Sequence, residues 1–488
     1  MIFVVRFFPE IIIKSREVRQ RYIAVLRRSL RTQLKQFNGP TAITGGWDSL
    51  NICVDGCSHE MRERIIKLLT HTPGIDLVLE VQKYPLVDLD GVIALCVAHN
   101  APLVRGKSFA VRCKRVGDHP FSSMDVERSV GAALMTSVVD TSVDLRNPQV
   151  AVRVDIHHDE VSVVERLHKG LGGYPLGTQD AVLSLISGGF DSTVSSYLCI
   201  KRGMLTHFCF FRLGGAEHEL AVKEVALYLW FKFGSSHRVK FITIPFEEVV
   251  DEIVAKVDNS QMGVVFKRLM YRAASDIATI LKIDTLVTGE SVSQVASQTL
   301  ANLAVIDRAT DKLVLRPLAT MDKREIIDVA RAIGTEEFVK NVPEYCSVIS
   351  VKPTTRARLG RIEKQETLLE DALLNKAVEN AEFQMIDRVI EGIDRRNKAP
   401  LLYCEPGDDI TIVDIRHPEE EEKNPLVVEH FEQEILKIPF YQLRARFAAL
   451  PDTKAYALYC ERGVMSRLHA SHLQEEGHAN VSVFRFSQ

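Results

Sequence analysis

The chain has 488 residues, of which 46% are hydrophobic and 26% charged, and its formal net charge at pH 7 is -3. This length is too great for one hydrophobic core, so the sequence predicts several globular domains. No apolar stretch approaches the ~20 residues of a membrane-spanning helix, and the apolar start, broken by Arg6 and closed by Pro9, lacks the layout of a signal peptide. We therefore expect a cytoplasmic protein without membrane contact.

The cysteines and the charges are distributed in informative ways. The nine cysteines are scattered, without a C-x-x-C pair or zinc-ligand spacing, which predicts mostly buried thiols and no metal site. Residues 1–40 contain nine Lys or Arg against two Asp or Glu, and a second basic cluster lies at 105–115. Basic segments on an otherwise acidic chain are typical of polyanion-binding proteins, although charge alone is equally consistent with a solvated helix face.

Two small α+β units are predicted first. The first consists of a strand, an amphipathic helix and a strand, at 2–8, 17–37 and 49–54. The second contains a helix, two strands, a helix and a strand, at 58–69, 74–79, 108–115, 125–136 and 150–156. Phe109, Val111 and Cys113 alternate with mainly basic residues, so the second unit is expected to present a basic sheet edge.

A glycine-rich segment at 169–177 predicts a hinge and the main domain boundary. Beyond it, strands and helices alternate at 181–186, 192–202, 205–212, 217–233 and 239–245. This order predicts a parallel sheet with helices on both faces. A long helical region is expected over 362–396, and a last small α/β unit begins near Leu401.

The sequence SGGFDS, from Ser187 to Ser192, directly follows the first strand of this α/β region. Gly188 and Gly189 allow backbone N–H groups to approach an anion, and the helix N-terminus adds partial positive charge. Asp191 is suited to hold Mg²⁺ or to position a nucleotide. The spacing and the lysine of a Walker A loop are absent. A plain glycine turn with a helix cap is the structural alternative, but the segment resembles the PP-loop of ATP pyrophosphatases, which implies adenylation with release of pyrophosphate.

Cys460 follows a predicted strand at 455–459 and precedes a helix start at Ser466. The six-residue loop 460–465 places the sulfur at a helix N-terminus, where a thiolate is favoured. Cysteine phosphatases have arginine at the position of Ser466, which argues against phosphate hydrolysis. Taken alone, Cys460 is more typical of a buried core residue. Together with VDIRHPEE at 413–420, the loop resembles rhodanese-type sulfurtransferases, which implies a persulfide on Cys460.

Over essentially its whole length, the chain resembles tRNA 4-thiouridine synthetases (tRNA sulfurtransferases) of the long form that ends in a rhodanese domain. The blocks PEIIIKSREVR, FAVRCKRVGDHPFSSMDVERSVGAAL and VDLRNPQVAVRVDI resemble the family's ferredoxin-like and THUMP domains. The implied fold is multidomain α+β and α/β, with domains at 1–58 (ferredoxin-like), 59–168 (THUMP, RNA-binding), 175–396 (PP-loop ATP pyrophosphatase with a parallel sheet) and 402–488 (rhodanese).

The resemblance also assigns site residues. The family's nucleotide contacts fall on Leu185, Ile186, Lys267, Gly289 and Gln298, in addition to Ser187, Gly188, Gly189 and Ser192 of the loop. Its catalytic positions fall on Asp191, Lys323, Cys346 and Cys460, and the two cysteines are implied to form a redox-active disulfide. Cys346 carries no signal of its own. Arg268 and Arg272, one helical turn apart beside Lys267, also fit a phosphate site, although such ridges are common on surface helices.

The implied activity is the ATP- and Mg²⁺-dependent conversion of the uridine at tRNA position eight into 4-thiouridine, by adenylation and then sulfur transfer from a Cys460 persulfide. The implied partners are tRNA, a cysteine desulfurase as persulfide donor, a thiol reductant, and the carrier protein that delivers sulfur for the thiamine thiazole. Three alternatives remain: another PP-loop tRNA thiolase, an RNA-binding protein with inert enzyme domains, and a sulfur carrier for thiamine synthesis alone.

Overall fold

The computed structural model describes residues 1–37, 41–213, 216–340, 342, 352–389, 403–404, 410–416, 418–423, 425–426, 435–460, 466, 469–470, 473–474 and 477–484. Two compact units are formed, one by residues 1–178 with 201–203 and the other by residues 179–200 with 204–488.

The first unit is built on an eight-stranded sheet in the order β2-β3-β1-β4-β8-β7-β5-β6. Its strands are β1 Ile2–Phe7, β2 Thr41–Gly45, β3 Ser49–Val54, β4 Ile75–Pro85, β5 Ser108–Val116, β6 Ser142–Val143, β7 Val150–His157 and β8 Glu160–Lys169. Its helices are α1 Pro9–Ile12, α2 Arg16–Leu34, α3 His59–Thr70, α4 Leu89–Val104 and α5 Ser123–Ser137.

The hydrophobic pattern explains this sheet. Phe3, Val5 and Phe7 alternate toward the core along β1, because successive strand residues point to opposite faces. Tyr22 and Leu26 of α2 pack in the same core at helical spacing. Strand β4 pairs with β1 on one side and with β8 on the other, so both predicted α+β units share one sheet. The division of this sheet into two domains stays a prediction.

The glycine-rich segment 169–177 is a well-bonded part of the first unit. The Gly170 N–H donates to the Asp76 carbonyl at 2.7 Å, and the Gly172 N–H donates to the Ile75 carbonyl at 2.7 Å. Gly173 has φ +73°, and a Cβ there would lie 1.9 Å from the Lys201 carbonyl oxygen. The glycine is required by this close approach. The first unit ends at residue 178, directly after this segment, and the hinge stays a prediction.

The second unit contains the predicted parallel sheet, in the order β13-β12-β9-β10-β11-β14. Its strands are β9 Gln179–Leu185, β10 Met204–Arg212, β11 Lys240–Pro245, β12 Thr285–Val287, β13 Leu313–Leu315 and β14 Glu382–Met385. Its helices are α6 Phe190–Lys201, α7 Ala216–Leu229, α8 Glu247–Lys256, α9 Met262–Ile280, α10 Leu300–Ile306, α11 Lys323–Ile333, α12 Glu336–Val339, α13 Leu359–Glu366 and α14 Asp371–Glu379. A π-helical turn, Trp230–Gly234, continues α7, and 3-10 turns occupy Ala296–Gln298, Asp307–Ala309 and Ile386–Arg388.

The helical region predicted over 362–396 is confirmed by two helices as far as residue 379 and is wrong for residues 382–385, which form β14. Helices α13 and α14 are separate, and β14 follows them and pairs antiparallel with β11. By pairing with β11, strand β14 provides hydrogen-bond partners for the backbone groups at the edge of the parallel sheet. The free energy gained from these hydrogen bonds outweighs the helix propensity of the Glu, Gln and Met residues in β14. Residues 390–396 of the prediction lie outside the described part of the chain.

Near the C-terminus, a separate sheet of five parallel strands has the order β15-β19-β18-β16-β17. The strands are β15 Tyr403–Cys404, β16 Ile410–Asp414, β17 Leu436–Lys437, β18 Ala455–Tyr459 and β19 Val481–Phe484, and the helices are α15 Pro418–Lys423 and α16 Phe440–Phe447. We call the described residues from Tyr403 to Phe484 the C-terminal subdomain. Among all the helices described, none has the length and the apolar composition needed to cross a membrane.

Candidate functional site

The predicted phosphate loop connects β9 to α6. The chain leaves β9 at Leu185, turns through Gly188 with φ +82°, and enters α6 at Phe190. The Ser187 N–H donates to the Ser192 hydroxyl at 3.1 Å, which closes the turn. The helix N-terminus and the backbone around the two glycines therefore face the carboxyl end of the sheet, which is the usual place for an anion in such folds.

Gly289 lies at the end of the neighbouring strand β12 and packs directly on this loop. A Cβ at Gly289 would lie 2.5 Å from the Asp191 carbonyl carbon and 2.6 Å from the Ser192 nitrogen. These contacts are far shorter than van der Waals contact, and both partners are backbone atoms. Only glycine allows the chain after β12 to approach the N-terminus of α6 so closely.

A cavity of about 500 Å³ opens over the phosphate loop. Its lining includes eight of the nine predicted nucleotide contacts, namely Leu185, Ile186, Ser187, Gly189, Ser192, Lys267, Gly289 and Gln298. Gly188 is not in the lining and instead packs under the loop, where Val222 and Val342 approach its Cα. The structure thus brings the sequence-predicted nucleotide residues together around one cavity.

The cavity has an apolar side and a polar side. Phe210, Phe211 and Phe266 line the apolar side, which suits a flat aromatic ring such as a nucleobase. Gln298, nine-tenths buried, also lines the cavity, and its Oε1 has no hydrogen-bond partner within the described ranges. A buried amide oxygen without a partner costs free energy, so this atom is suited to accept a hydrogen bond from a bound ligand.

Glu290, which the sequence analysis missed, organises the polar side. Its Oε1 accepts a hydrogen bond from Lys267 Nζ at 2.7 Å, and its Oε2 accepts from Tyr271 Oη and Arg316 Nε, both at 2.8 Å. Burial opposes ionisation of this carboxyl, but the charges of Lys267 and Arg316 outweigh it and lower the pKa of Glu290 to about 2. The only local signal was its position, directly after Gly289 at a strand end.

Asp191 and Lys323 form the second polar group of the site. Lys323 Nζ lies 2.8 Å from Asp191 Oδ1, and Gln294 Nε2 donates to Asp191 Oδ2 at 2.9 Å. Lys323 is the first residue of α11, and Asp322 caps this helix in a capping box with Glu325. The cap fixes where α11 begins, so it also fixes the base of the lysine side chain that reaches the phosphate loop.

The basic ridge beside Lys267 has a structural role. Arg268 Nε donates to Glu366 Oε1 at 2.6 Å, and Arg272 donates to Asp371 Oδ1 at 2.8 Å. Both arginines therefore tie α9 to helices α13 and α14. Neither lines the cavity, so the expectation that they belong to the phosphate site is wrong.

The predicted sulfur site lies in the C-terminal subdomain. Cys460 follows β18 and is buried; the Ser466 N–H donates to its Sγ at 3.3 Å, and the Ser466 hydroxyl lies 3.4 Å from Sγ. Elsewhere in the chain, burial raises the pKa of Cys96 and of Cys199 to about 12, which makes them inert thiols. Residues 461–465 and Cys346 lie outside the described residues, and so does the predicted Cys346–Cys460 disulfide.

The VDIR segment lies beside this cysteine. Arg416 forms a buried ion pair with Asp414, with Nε 2.9 Å from Oδ1, and its guanidinium lies 5.2 Å from the centre of the Tyr459 ring. The Ile415 N–H donates to the Tyr459 carbonyl at 3.0 Å. The end of β16 is therefore bonded to the residue immediately before Cys460.

Two domain families match the sequence. Residues 177–370 match the family described as Thiamine biosynthesis protein (ThiI), and residues 88–164 match the THUMP domain. The tRNA sulfurtransferase of Pseudomonas putida is 50% identical over 483 residues, and that of Azotobacter vinelandii is 51% identical over 482 residues; in both alignments 99% of each chain is covered.

Two solved structures share the fold. A 4-thiouridine synthetase, solved as a complex with RNA and ATP, superposes with a TM-score of 0.67, covers 79% of this chain and 99% of its own, and is 24% identical. A protein from Pyrococcus horikoshii Ot3 superposes with a TM-score of 0.53, covers 68% of this chain and 100% of its own, and is 15% identical. These likenesses support the multidomain architecture with its THUMP unit and parallel-sheet domain.

Proposed function

The chain belongs to the tRNA sulfurtransferase family, and we propose that it uses ATP to convert the uridine at tRNA position eight into 4-thiouridine. The observation that carries this proposal is the cavity over the phosphate loop, which gathers Ser187, Lys267 and Gln298 around one opening. The chemistry divides into nucleotide binding, activation of the uridine and delivery of sulfur.

The lining of the cavity suits the two ends of ATP. The three phenylalanines on the apolar side take the adenine ring, and the phosphates reach the loop backbone and the N-terminus of α6. Lys267, held by Glu290, supplies a positive charge near the phosphates. The solved 4-thiouridine synthetase with bound ATP has the same fold, which supports this assignment.

Asp191 is the carboxylate that would hold a magnesium ion brought with ATP. Magnesium is usually bound by one or two carboxylates together with substrate phosphates, so a single well-placed aspartate is sufficient. Within the described ranges, no group of three His, Cys, Asp or Glu side chains is arranged to hold a metal by itself. Bound at Asp191, the ion would supply positive charge to the phosphates during the reaction.

Activation is an adenylation. The 4-oxygen of the uridine attacks the α-phosphorus of ATP, the uridine N3 proton is lost, and pyrophosphate leaves. Negative charge grows on the phosphates, and the loop N–H groups, Lys267 and Lys323 stabilise it. The oxygen on C4 is a poor leaving group by itself. After adenylation it leaves as part of AMP, which is a good leaving group.

Sulfur comes from a persulfide on Cys460. A cysteine desulfurase loads the outer sulfur, and the Ser466 N–H stabilises negative charge on Sγ. The five-stranded parallel sheet and the VDIR segment beside Cys460 support a rhodanese-type subdomain. The outer sulfur bonds to C4, and AMP leaves with the former uridine oxygen.

Cys346 completes the electron balance. Breaking the bond between Cys460 Sγ and the outer sulfur requires two electrons, which the Cys346 thiolate supplies by attacking Sγ. A Cys346–Cys460 disulfide forms, and a thiol reductant then restores both thiols. The attack occurs either before transfer, so that sulfide reaches C4, or after the persulfide has bonded to C4.

The first unit would hold the tRNA. It contains the THUMP match at 88–164 together with the basic residues of α2 and β5. Contacts from Lys and Arg to phosphates would give affinity that falls steeply with salt, and shape would select the RNA. A second role in thiamine synthesis is supported by the description of the family that residues 177–370 match. In this role the C-terminal subdomain would pass sulfur to the carrier protein for the thiamine thiazole.

The decisive experiment combines purified protein, unmodified tRNA, Mg·ATP, cysteine and a cysteine desulfurase. The near-ultraviolet absorption of the tRNA reports 4-thiouridine. We expect signal with the wild type and none with Asp191→Ala, Cys346→Ala or Cys460→Ala. No signal from the wild type, with persulfide still forming on Cys460, would overturn the tRNA activity and leave a sulfur carrier.

A further inference from the structure

Helix α7 contacts the C-terminal subdomain through an ion pair and an aromatic pair. Glu224 Oε1 lies 3.6 Å from His469 Nε2, and both side chains are nearly buried, with 15% and 8% exposed. One turn later on α7, the ring of Tyr228 lies 6.3 Å from that of Phe440, at an angle of 31°. Phe440 also lies 6.0 Å from the His469 ring, so the four side chains form one contiguous contact.

The same helix supports the phosphate loop. Val222 Cγ2 would lie 3.0 Å from a Cβ at Gly188, so it packs directly under the turn. His218 lines the cavity, and its Nε2 lies 3.3 Å from the Ser187 carbonyl oxygen. The first half of α7 therefore contacts the nucleotide site, and the second half contacts the C-terminal subdomain.

On the other side of the contact, His469 belongs to the segment that holds the reactive sulfur. Ser466, three residues earlier, contacts Cys460 Sγ through its N–H and its hydroxyl. Docking on α7 fixes this segment relative to the nucleotide site.

A second element, α12, joins the contact. Helix α12 lies against α16 of the C-terminal subdomain. Val342, three residues after the end of α12, packs on Gly188, where its Cγ1 would lie 2.9 Å from a Cβ. The chain reaches Cys346 four residues after Val342. Between them, α12 and Val342 therefore contact both the C-terminal subdomain and the phosphate loop.

We propose that Glu224 and Tyr228 of α7, together with α12, form a docking surface for the C-terminal subdomain, and that sulfur transfer takes place from the docked state. This inference rests on the proposed function for the identity of the transferred group. The pair between Glu224 and His469 fixes the position of the C-terminal subdomain along α7, because a nearly buried carboxylate requires a compensating partner. Among the described residues, the contact rests on a few side chains of α7 and on α12, and contacts of such limited size can release between turnovers.

The test uses charge reversal in the full chain. Glu224→Lys replaces the carboxylate beside His469 with a cation, His469→Glu opposes two carboxylates, and the double variant opposes a lysine and a glutamate with the carboxylate on the other side of the contact. We expect each single variant to speed hydrogen exchange in Phe440–Phe447 and to slow 4-thiouridine formation about tenfold, and the double variant to recover most of both. Pyrophosphate release and persulfide formation on Cys460 should be unchanged in all three, which shows that each partner is folded.

Glu248→Lys is the matched control. Glu248 lies on α8, is 62% exposed and pairs with Lys376, so the same charge change should leave every readout unaltered. The docking proposal is overturned if the single variants exchange like the wild type, or if the double variant is no better than the singles. If the wild type forms no 4-thiouridine, the proposed function fails, while the exchange data still decide whether the subdomain docks.

Discussion

Lys323 Nζ lies 2.8 Å from Asp191 Oδ1, although the two residues are 132 positions apart in the chain. Asp191 lies in the first turn of α6, and Lys323 begins α11. The ion pair neutralises the aspartate beside the phosphate loop before any nucleotide arrives. In the proposed function, a magnesium ion held at Asp191 would release the ammonium group of Lys323 from this pair, so that the lysine could face the phosphates instead.

We predict that Asp191→Asn and Lys323→Met each lower the rate of pyrophosphate release with unmodified tRNA about 100-fold, because each removes charge from the proposed adenylation site. The free energy of unfolding should change by less than about 1 kcal/mol, since Lys323 is 42% exposed and such pairs contribute little to stability. Lys376→Met, which breaks an exposed pair with Glu248, is the control and should leave the rate unchanged. Loss of stability without loss of rate would contradict this role.

Gly289→Ala tests the close packing of β12 on the phosphate loop. A methyl group would lie 2.5 Å from the Asp191 backbone, so the loop must shift. We expect a loss of about 1–3 kcal/mol in the free energy of unfolding, together with weaker ATP binding, measured by denaturant titration and calorimetry. Gly360→Ala is the matched control, because nothing lies within 4 Å of its Cβ position. Equal effects at both glycines would contradict the packing argument.

The local motifs of this site were predictable from sequence. The turn SGGFDS between a strand and a helix has the structure that its glycines and hydroxyls predict, because those interactions lie within a few residues. The resemblance to a family assigned Lys267, Gly289 and Gln298, which composition and spacing alone did not mark. Their meeting around one cavity depends on the order of strands in the sheet.

The long-range features were not predictable from sequence. Glu290 gains its role from Lys267 on α9 and from Arg316, which is 26 residues further along the chain, and no local pattern connects these three. Strand β14 was assigned to a helix because its partner, β11, lies about 140 residues earlier. At Glu290 and at β14, contacts between residues far apart in the chain decide the structure. Predictions from neighbouring residues in the sequence therefore miss the role of Glu290 and misassign β14.

Glu290→Gln should destabilise the protein by about 3 kcal/mol at neutral pH, because it leaves Lys267 and Arg316 without their shared buried carboxylate. The pKa of Glu290 falls from its usual 4.5 to about 2, since the two cations outweigh the effect of burial. Its ionisation therefore stabilises the fold fully above about pH 4.5, and this contribution is lost as the pH falls toward 2.

The direction of this pH dependence of stability can be checked by thermal unfolding, measured from neutral pH down to about pH 3. The wild type should lose stability more steeply than Glu290→Gln as the pH falls, so that the two curves converge in acid. Glu248→Gln, an exposed carboxyl on α8, should run parallel to the wild type. Curves for Glu290→Gln and the wild type that stay parallel would contradict a buried, ionised Glu290.

Cys460→Ser and Ser466→Ala separate the two halves of the reaction. Cys460→Ser should form no persulfide and no 4-thiouridine, yet release pyrophosphate at the wild-type rate, because the nucleotide cavity does not include Cys460. Ser466→Ala should slow persulfide formation about 2- to 10-fold, since the hydroxyl contact to Sγ is lost while the N–H at 3.3 Å remains. Ser482→Ala, whose hydroxyl donates to the Tyr456 carbonyl in the same sheet, should load sulfur normally. Mass spectrometry measures the persulfide on Cys460 or its absence in the three variants. If Ser466→Ala forms persulfide as fast as Ser482→Ala, Ser466 has no role in the sulfur site.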